Sequence, residues 1–393
     1  MKNYDVLILG AGASGLMCAG NLPKRLSVGI IDANTKVARK VKISGGGKCN
    51  IANTDIGVHN FDAQQQFLER LLKKFSRDDL LDFLERGGVE LELKKGRYYF
   101  CKKSSDAIIN LLLRHAKHTE ISLNEKILEV KKSGDSFEVL TNRGVKRAKK
   151  VVVATGGESF KSIGASDIGL KIAKYFNIHI QRFEPALVGL TLQKEQFWMK
   201  ALSGLSCFVE IKVADRTLRE EMLFAHRGIS GPVVLSTSLY WKKGDISINF
   251  LADKDIVSLV KKGGKRLISS IVPLPKRLSK ALLEAIGFKD KECSRVQSEE
   301  LARLTQLHNY TFAPAGNFGF SKAEVSRGGV VVDELDNETL EAKKVKGIYF
   351  IGEVVDITGE LGGYNFQWAF CSAYVCAKAI KLGIINKNNF IKN

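Results

Sequence analysis

At 393 residues the chain exceeds one ordinary hydrophobic core and predicts two or three domains. Its composition, 45% hydrophobic and 26% charged, is that of a globular protein, and no run reaches the ~20 apolar residues of a membrane-spanning helix. The net charge of +19 raises nucleic acid as a partner, but lysine doublets such as Lys73-Lys74, Lys149-Lys150 and Lys343-Lys344 are spread along the chain. They read as a solvated surface, and no stable nucleic-acid complex is expected.

The chain enters its first strand at once, which leaves no room for a signal peptide and points to the cytoplasm. The apolar run Tyr4 to Leu9 leads into Gly10-Ala11-Gly12-Ala13-Ser14-Gly15, and a helix-compatible stretch, Leu16 to Leu22, follows. In this G-x-G-x-x-G pattern Gly10 permits the tight turn, Gly12 admits a pyrophosphate, and Gly15 packs helix on strand. The helix N-terminus offers its free N–H groups to the phosphates. A second strand, Ser27 to Ile31, ends in Asp32, 17 residues after Gly15, with Ala33 beside it. A carboxylate there accepts hydrogen bonds from an adenosine ribose.

After Asp32 a long Gly/Lys-rich loop precedes a helical stretch from about Gln64 to Arg86. Strand-like Val89 to Leu93 and Arg97 to Phe100 come next, then an amphipathic helix, Ser105 to His115. Ile121 to Leu123, Lys126 to Lys131 (with Ile127 among the expected cofactor contacts), Phe137 to Thr141 and Lys146 to Lys149 alternate as a small meander. Lys150 to Val153, running into Ala154-Thr155-Gly156-Gly157, reads as a buried parallel strand with a small-residue end. From Pro185 the texture turns to short β-rich runs (Leu187 to Leu192, Cys207 to Ala214, Thr217 to Phe224, Asp245 to Leu251), then helices between 255 and 308. A buried strand, Gly347 to Ile351, and a helix from about Phe366 to Leu382 close the chain.

The expected architecture is therefore α/β: a Rossmann-like dinucleotide-binding domain built from both chain ends (1–186 and 321–393), a β-barrel-like insert (187–254 and 309–320), and a small helical domain (255–308). Three features select FAD over NAD. Ala154, Thr155 and Gly156 let backbone pass close to the cofactor. Gly352 and Glu353, with Asp356 beyond, stand where a strand end reaches the ribityl or pyrophosphate side. Gly363, Asn365, Phe366 and Gln367 open the last helix toward the pyrimidine edge of a flavin. No second G-x-G-x-x-G follows a strand, so any NAD(P)H is expected to dock transiently near the flavin or to be replaced by another electron donor.

The segment Lys40-Val41-Lys42-Ile43-Ser44-Gly45-Gly46-Gly47-Lys48-Cys49-Asn50-Ile51-Ala52-Asn53 resembles the K-x-x-x-S-G-G-G-[RK]-C-N-x-[TA]-N loop of the BaiN/RdsA-type bacterial FAD flavoproteins. Phe224-Ala225-His226-Arg227-Gly228-Ile229-Ser230-Gly231-Pro232, Gly328-Gly329-Val330, and Gly352-Glu353-Val354-Val355-Asp356 with Gly362-Gly363-Tyr364-Asn365-Phe366-Gln367 match as well, so the resemblance spans the chain. It implies a split FAD domain, a barrel-like domain and a helical domain. It also implies reduction of an electron-poor C=C, as in the unsaturated 3-oxo bile acids associated with some relatives. Two departures, Gly164-Ala165-Ser166-Asp167-Ile168-Gly169 for G-x-T-G-D-G and Val325-Ser326-Arg327 for V-T-x, lie where a substrate would be sensed.

In a flavoenzyme the cofactor carries the redox step and the protein supplies orientation, charge and protons. Lys40 and Lys48 are expected to neutralise the pyrophosphate, with backbone N–H groups of Ser44, Gly45, Gly46 and Gly47 along the cofactor and Asn50 among its contacts. Seven scattered cysteines without a C-x-x-C pair fit a reducing compartment and argue against a metal; Cys49 reads as a small buried residue rather than a redox thiol. His226, Arg227 and Tyr364 are the candidate catalytic groups, although His226-Arg227 reads equally well as a turn cap; Arg327 is a candidate anion site. The leading expectation is an FAD-dependent reductase of a small enone-type substrate. An FAD-containing tRNA- or RNA-associated modification protein and a small amine or ketone oxidase are the alternatives.

Overall fold

The computed structural model describes residues 2–390, with side chains described through 383. Two compact units result, Met1–Pro185 with Val325–Asn393, and Ala186–Glu324.

The first unit is built on a seven-stranded sheet. The opening strand Lys2–Leu9 lies between Val28–Ile31 and Gly144–Val153, and Glu120–Ser122 pairs with the far side of Val28–Ile31, all in parallel. Leu7, Ile8, Leu9 and Val151 to Val153 are completely buried, as expected for strands covered on both faces. Gly144–Val153 forks: Gly144 to Ala148 pair antiparallel with Ser136–Thr141, whereas Val151 to Val153 pair parallel with Ile348–Phe350. The two separate runs expected here are thus one ten-residue strand serving two neighbours in succession. The opening helix, Ala13–Asn21, packs against helix Asp106–His115 and the final helix, Tyr364–Phe390.

Two local readings change. The helical stretch 64–86 divides into Gln65–Leu72 and Arg77–Arg86, because Ser76 starts a new helix. Its hydroxyl accepts from the Asp79 N–H while the Asp79 carboxylate accepts from the Ser76 N–H, a reciprocal cap. The long loop after Asp32 contains a short helix, Arg39–Ile43, and a strand, Asn50–Asn53. That strand joins the hairpin of Leu91–Lys94 and Tyr98–Cys101 in a three-stranded sheet.

The second unit holds a seven-stranded antiparallel sheet in the order Tyr310–Phe312, Ile246–Asn249, Ser206–Val213, Arg216–Ala225, Gly228–Ser230, Leu190–Thr191, Gly316–Asn317. Its first and last strands are separated in the chain only by Ala313, Pro314 and Ala315, so the sheet curls to bring its edges together. Val209, Ile211, Phe224 and Ile248 from the sheet share one continuous core with Val260, Ile268, Leu278 and Leu282 from the helices after it. Helix Pro232–Tyr240, unread in the sequence, is buried along most of its length and carries no polar stripe to reveal its period.

Candidate dinucleotide site

Strand register sets the site. Leu9 is level with Ile31 and Val153, and Val153 with Phe350, so four parallel strands end side by side. Their carboxyl ends carry Gly10, Asp32, Ala154 and Gly352 respectively, the edge at which open α/β sheets bind ligands.

The glycines here divide by what a side chain would meet. Gly10 has a φ of +113°, and a Cβ there would stand 2.3 Å from the Ala154 carbonyl oxygen; at Gly15 it would stand 2.0 Å from the Gly10 oxygen. Both are required by the fold itself. A Cβ at Gly12 meets nothing within 4 Å. Gly12 also precedes the opening helix with no side-chain cap, which leaves first-turn N–H groups facing open space. That open cradle fits a pyrophosphate.

The Ala11 N–H donates to Asp32 Oδ2 at 2.7 Å, and Asn34 donates to Oδ1 from its backbone at 2.8 Å and its amide at 2.9 Å. The carboxylate is thereby locked beside the glycine turn with lone-pair capacity left for a hydroxyl; Ala33 is exposed next to it. Ile127, half-buried, opens its strand two residues after Glu125, whose N–H donates to the Asp32 carbonyl. Ala154 continues the sheet through its N–H to the Leu9 carbonyl, while Gly156 turns away with a φ of +70°. The Thr155 hydroxyl faces Gly169, so this loop presents backbone to the site.

Gly352 has a φ of +71°, and a Cβ would stand 2.6 Å from the Ser14 hydroxyl, so this strand end abuts the opening helix. Trp368 Nε1 donates to its carbonyl at 3.0 Å, and its N–H donates to the Ser372 hydroxyl at 3.0 Å. Glu353 binds the Lys40 ammonium through both oxygens at 2.8 and 2.7 Å and also accepts the Ser326 N–H at 2.9 Å. Lys40, expected to neutralise the pyrophosphate, and Glu353, expected on the ribityl or pyrophosphate side, thus stand together as an ion pair.

Gly45, Gly46 and Gly47 have successive φ values of +55°, +64° and +86°, a run that other residues adopt only under strain. Asn50 follows, and its buried Oδ1 has no hydrogen-bond partner. Gly363, at φ +93°, lies against this strand, where a Cβ would stand 2.6 Å from the Ala52 nitrogen.

Other nominated residues are committed elsewhere. Asn365 exchanges two hydrogen bonds with the Gly359 backbone, and the buried Gln367 amide donates to the Phe75 carbonyl at 2.9 Å. Phe366 and Asp356 are half-buried, and the Asp356 N–H donates to the Val330 carbonyl. Tyr364 is completely buried, its ring edge-on to Phe61 at 5.9 Å. Burial raises its hydroxyl pKa against a nearby Arg97, which corrects the expectation of a proton donor to substrate. Arg327 is spent on Glu184, with Nε 2.9 Å from the carboxylate, which corrects the anion-site expectation. Burial pushes the Cys49 thiol up to about 12, leaving it protonated and inert. Lys48 is exposed. In the second unit His226 and Arg227 are exposed on the turn joining Arg216–Ala225 to Gly228–Ser230, and Arg227 lies 5.3 Å from the Phe318 ring. Among the described residues no His/Cys/Asp/Glu group could hold a metal, and no helix is long and apolar enough to cross a membrane.

One group escaped the sequence reading. In the hairpin of Leu91–Lys94 and Tyr98–Cys101, Tyr98 and Phe100 are half-buried and touch the two glycine turns. A Cβ on Gly362 would come 3.1 Å from Tyr98, and one on Gly45 the same distance from Phe100. Arg97 lies 4.9 Å over the Tyr98 ring and Lys94 5.1 Å over the Phe100 ring. The interleaved basic and aromatic run Lys94-Lys95-Gly96-Arg97-Tyr98-Tyr99-Phe100 was the available signal.

The chain matches the model of the HI0933-like protein Rossmann domain over residues 4–379. It is 36% identical over 394 residues to a ribosomal RNA dihydrouridine synthase of Escherichia coli, covering 96% of this chain and 98% of that protein. It is 26% identical over 403 residues to a 3-dehydro-bile acid delta(4,6)-reductase of Clostridium scindens, covering 95% and 98%. The solved structure of a 3-ketosteroid-delta4-(5alpha)-dehydrogenase from Rhodococcus jostii superposes with a TM-score of 0.52 at 10% identity over 97% of both chains, a likeness of fold alone. A family model spanning almost all of the chain, with relatives aligned end to end, establishes that the protein belongs to the HI0933-like Rossmann family of flavin-dependent oxidoreductases.

Proposed function

We propose that the protein reduces the 5,6 double bond of a uridine in ribosomal RNA, using FAD. The observation that carries this reading is the hairpin platform. Two half-exposed aromatic rings flanked by Lys94, Lys95 and Arg97 stand against the Gly45 and Gly362 turns, which suits a planar base attached to a phosphate chain. The uracil 5,6 bond is conjugated to the C4 carbonyl, so it is an electron-poor C=C of the kind the sequence anticipated. The names of the two relatives above support the same bond type, and the more similar of them is named for RNA.

Residues Gly10 to Gly15 would hold the pyrophosphate, Asp32 the ribose, and the backbone of Ala154 to Gly156 and Gly352 the length of the cofactor. Gly45 to Gly47, Asn50 and Gly363 border its far end in this reading, and the Lys40–Glu353 pair fixes the spacing of the two glycine loops. When bound and reduced by a donor such as NADPH, the flavin would supply hydride chemistry at one carbon of the double bond. The neighbouring carbon takes up a proton.

The test is incubation of the full chain with FAD, NADPH and ribosomal RNA without oxygen, followed by digestion and mass spectrometry. A nucleoside two hydrogens heavier than uridine supports the proposal. Conversion of a 3-oxo-4-ene steroid with no change in RNA would replace it by a small-enone reductase, and oxygen consumption without either would favour an oxidase.

A further inference from the structure

Net charge in the second unit is concentrated in one place. Residues 254–280 hold eight Lys or Arg against a single acid, Asp255. They form three short helices, Ile256–Gly263, Ile268–Ile271 and Lys276–Ala285, of which the middle one packs against both others. Ile256, Val260, Ile268, Ile271, Leu278 and Leu282 turn inward to the core, and every one of the eight cations is exposed.

None of these cations has a carboxylate partner among the described residues. Asp255 is used as a helix cap, accepting the Val257 and Ser258 N–H groups, and the neighbouring Asp253 pairs with Arg219. Arg266 donates to the Gly263 and Lys262 carbonyls and Arg277 to the Ala201 carbonyl. The next acid, Glu284, lies one turn beyond Lys280 and forms no ion pair among the described residues.

Folding does not favour this arrangement. Lys276 and Arg277 stand in the first turn of their helix, where the positive end of the dipole repels them. Lys276 and Lys280 are also like charges one turn apart. Such a cluster is unfavourable in the free protein and is relieved by a polyanion.

We infer that this helical face, with Lys261, Lys262, Lys265, Lys276 and Lys280 at its centre, is a docking surface for the phosphate backbone of ribosomal RNA. The inference rests on the proposed activity toward RNA. It makes the face a positioning surface, remote in role from the redox step: it would raise affinity for long RNA without reading sequence.

The experiment compares the full wild-type chain with Lys261→Gln/Lys262→Gln/Lys276→Gln/Lys280→Gln. A control changes four lysines paired in surface ion pairs, Lys73, Lys103, Lys131 and Lys149, to Gln. Binding to a ribosomal RNA fragment is measured against salt, with dihydrouridine formation and flavin content measured on the same samples. The expected result is a slope of log affinity on log salt smaller by about 3, and about tenfold or more weaker binding at 0.1 M salt, for the first variant only. Flavin content should be equal in all three. Equal slopes in all three proteins, with wild type forming dihydrouridine, would overturn the docking face while leaving the activity intact. Absence of dihydrouridine with wild type would remove the activity on which the inference stands. Binding of the cluster to vesicles of anionic lipid in preference to the RNA would also overturn it.

Discussion

Gly12 and Gly10 separate cofactor from fold at the scale of single residues. Gly12→Val should fold normally, with an unchanged far-ultraviolet spectrum and melting temperature, yet purify without flavin, since its side chain enters only the open cradle. Gly10→Val should fail to fold, because it collides with the Ala154 backbone from a left-handed φ. Cys49, held as a thiol by burial, should resist iodoacetamide at pH 8 in the native protein and react once the protein is unfolded. The strand, glycine turn and helix at residues 4–22 and the strand ending at Asp32 were legible in the sequence because local pattern specifies them. The Lys40–Glu353 pair was not, since its partners lie 313 residues apart and meet only through the sheet register. Tyr364 was nominated because it lies beside the helix start expected to face the flavin, and only the packing of Phe61 against it reveals a core residue.

Helices and strands were legible where polar and apolar residues alternate. Asp106–His115 was found from its stripe, whereas Pro232–Tyr240 lacks one and was missed. Ser76 split an expected helix because a reciprocal cap outweighed continuity; Ser76→Ala should cost about 1 kcal/mol in chemical denaturation. His115 ends its helix against the opening helix, with Phe83 edge-on at 5.2 Å and Gly20 leaving room for the ring. Burial, with His118 nearby, lowers its pKa below the usual histidine value. The unfolded chain therefore takes up this proton first as pH falls, and ν_U exceeds ν_N below about 6.5. Stability should be insensitive to this group above that pH and decline below it. His115→Phe keeps the ring and should flatten that decline; equal pH profiles for the two proteins would contradict the assignment.

For the whole molecule, composition and motif order were enough to announce a Rossmann-like unit with a β-rich insertion, because strand, glycine turn and helix are specified locally. The distribution of charge was read less well. Doublets scattered along the sequence concealed a run, residues 254–280, whose eight cations are all exposed around three packed helices, a feature of tertiary packing. That a flavin occupies the strand ends of the first unit underlies everything else, and the visible absorption spectrum of the purified full chain tests it most directly. The account predicts the two-band spectrum of oxidised flavin, retained through gel filtration and released as FAD on denaturation. A colourless protein that stays colourless after incubation with FAD and gel filtration would contradict it.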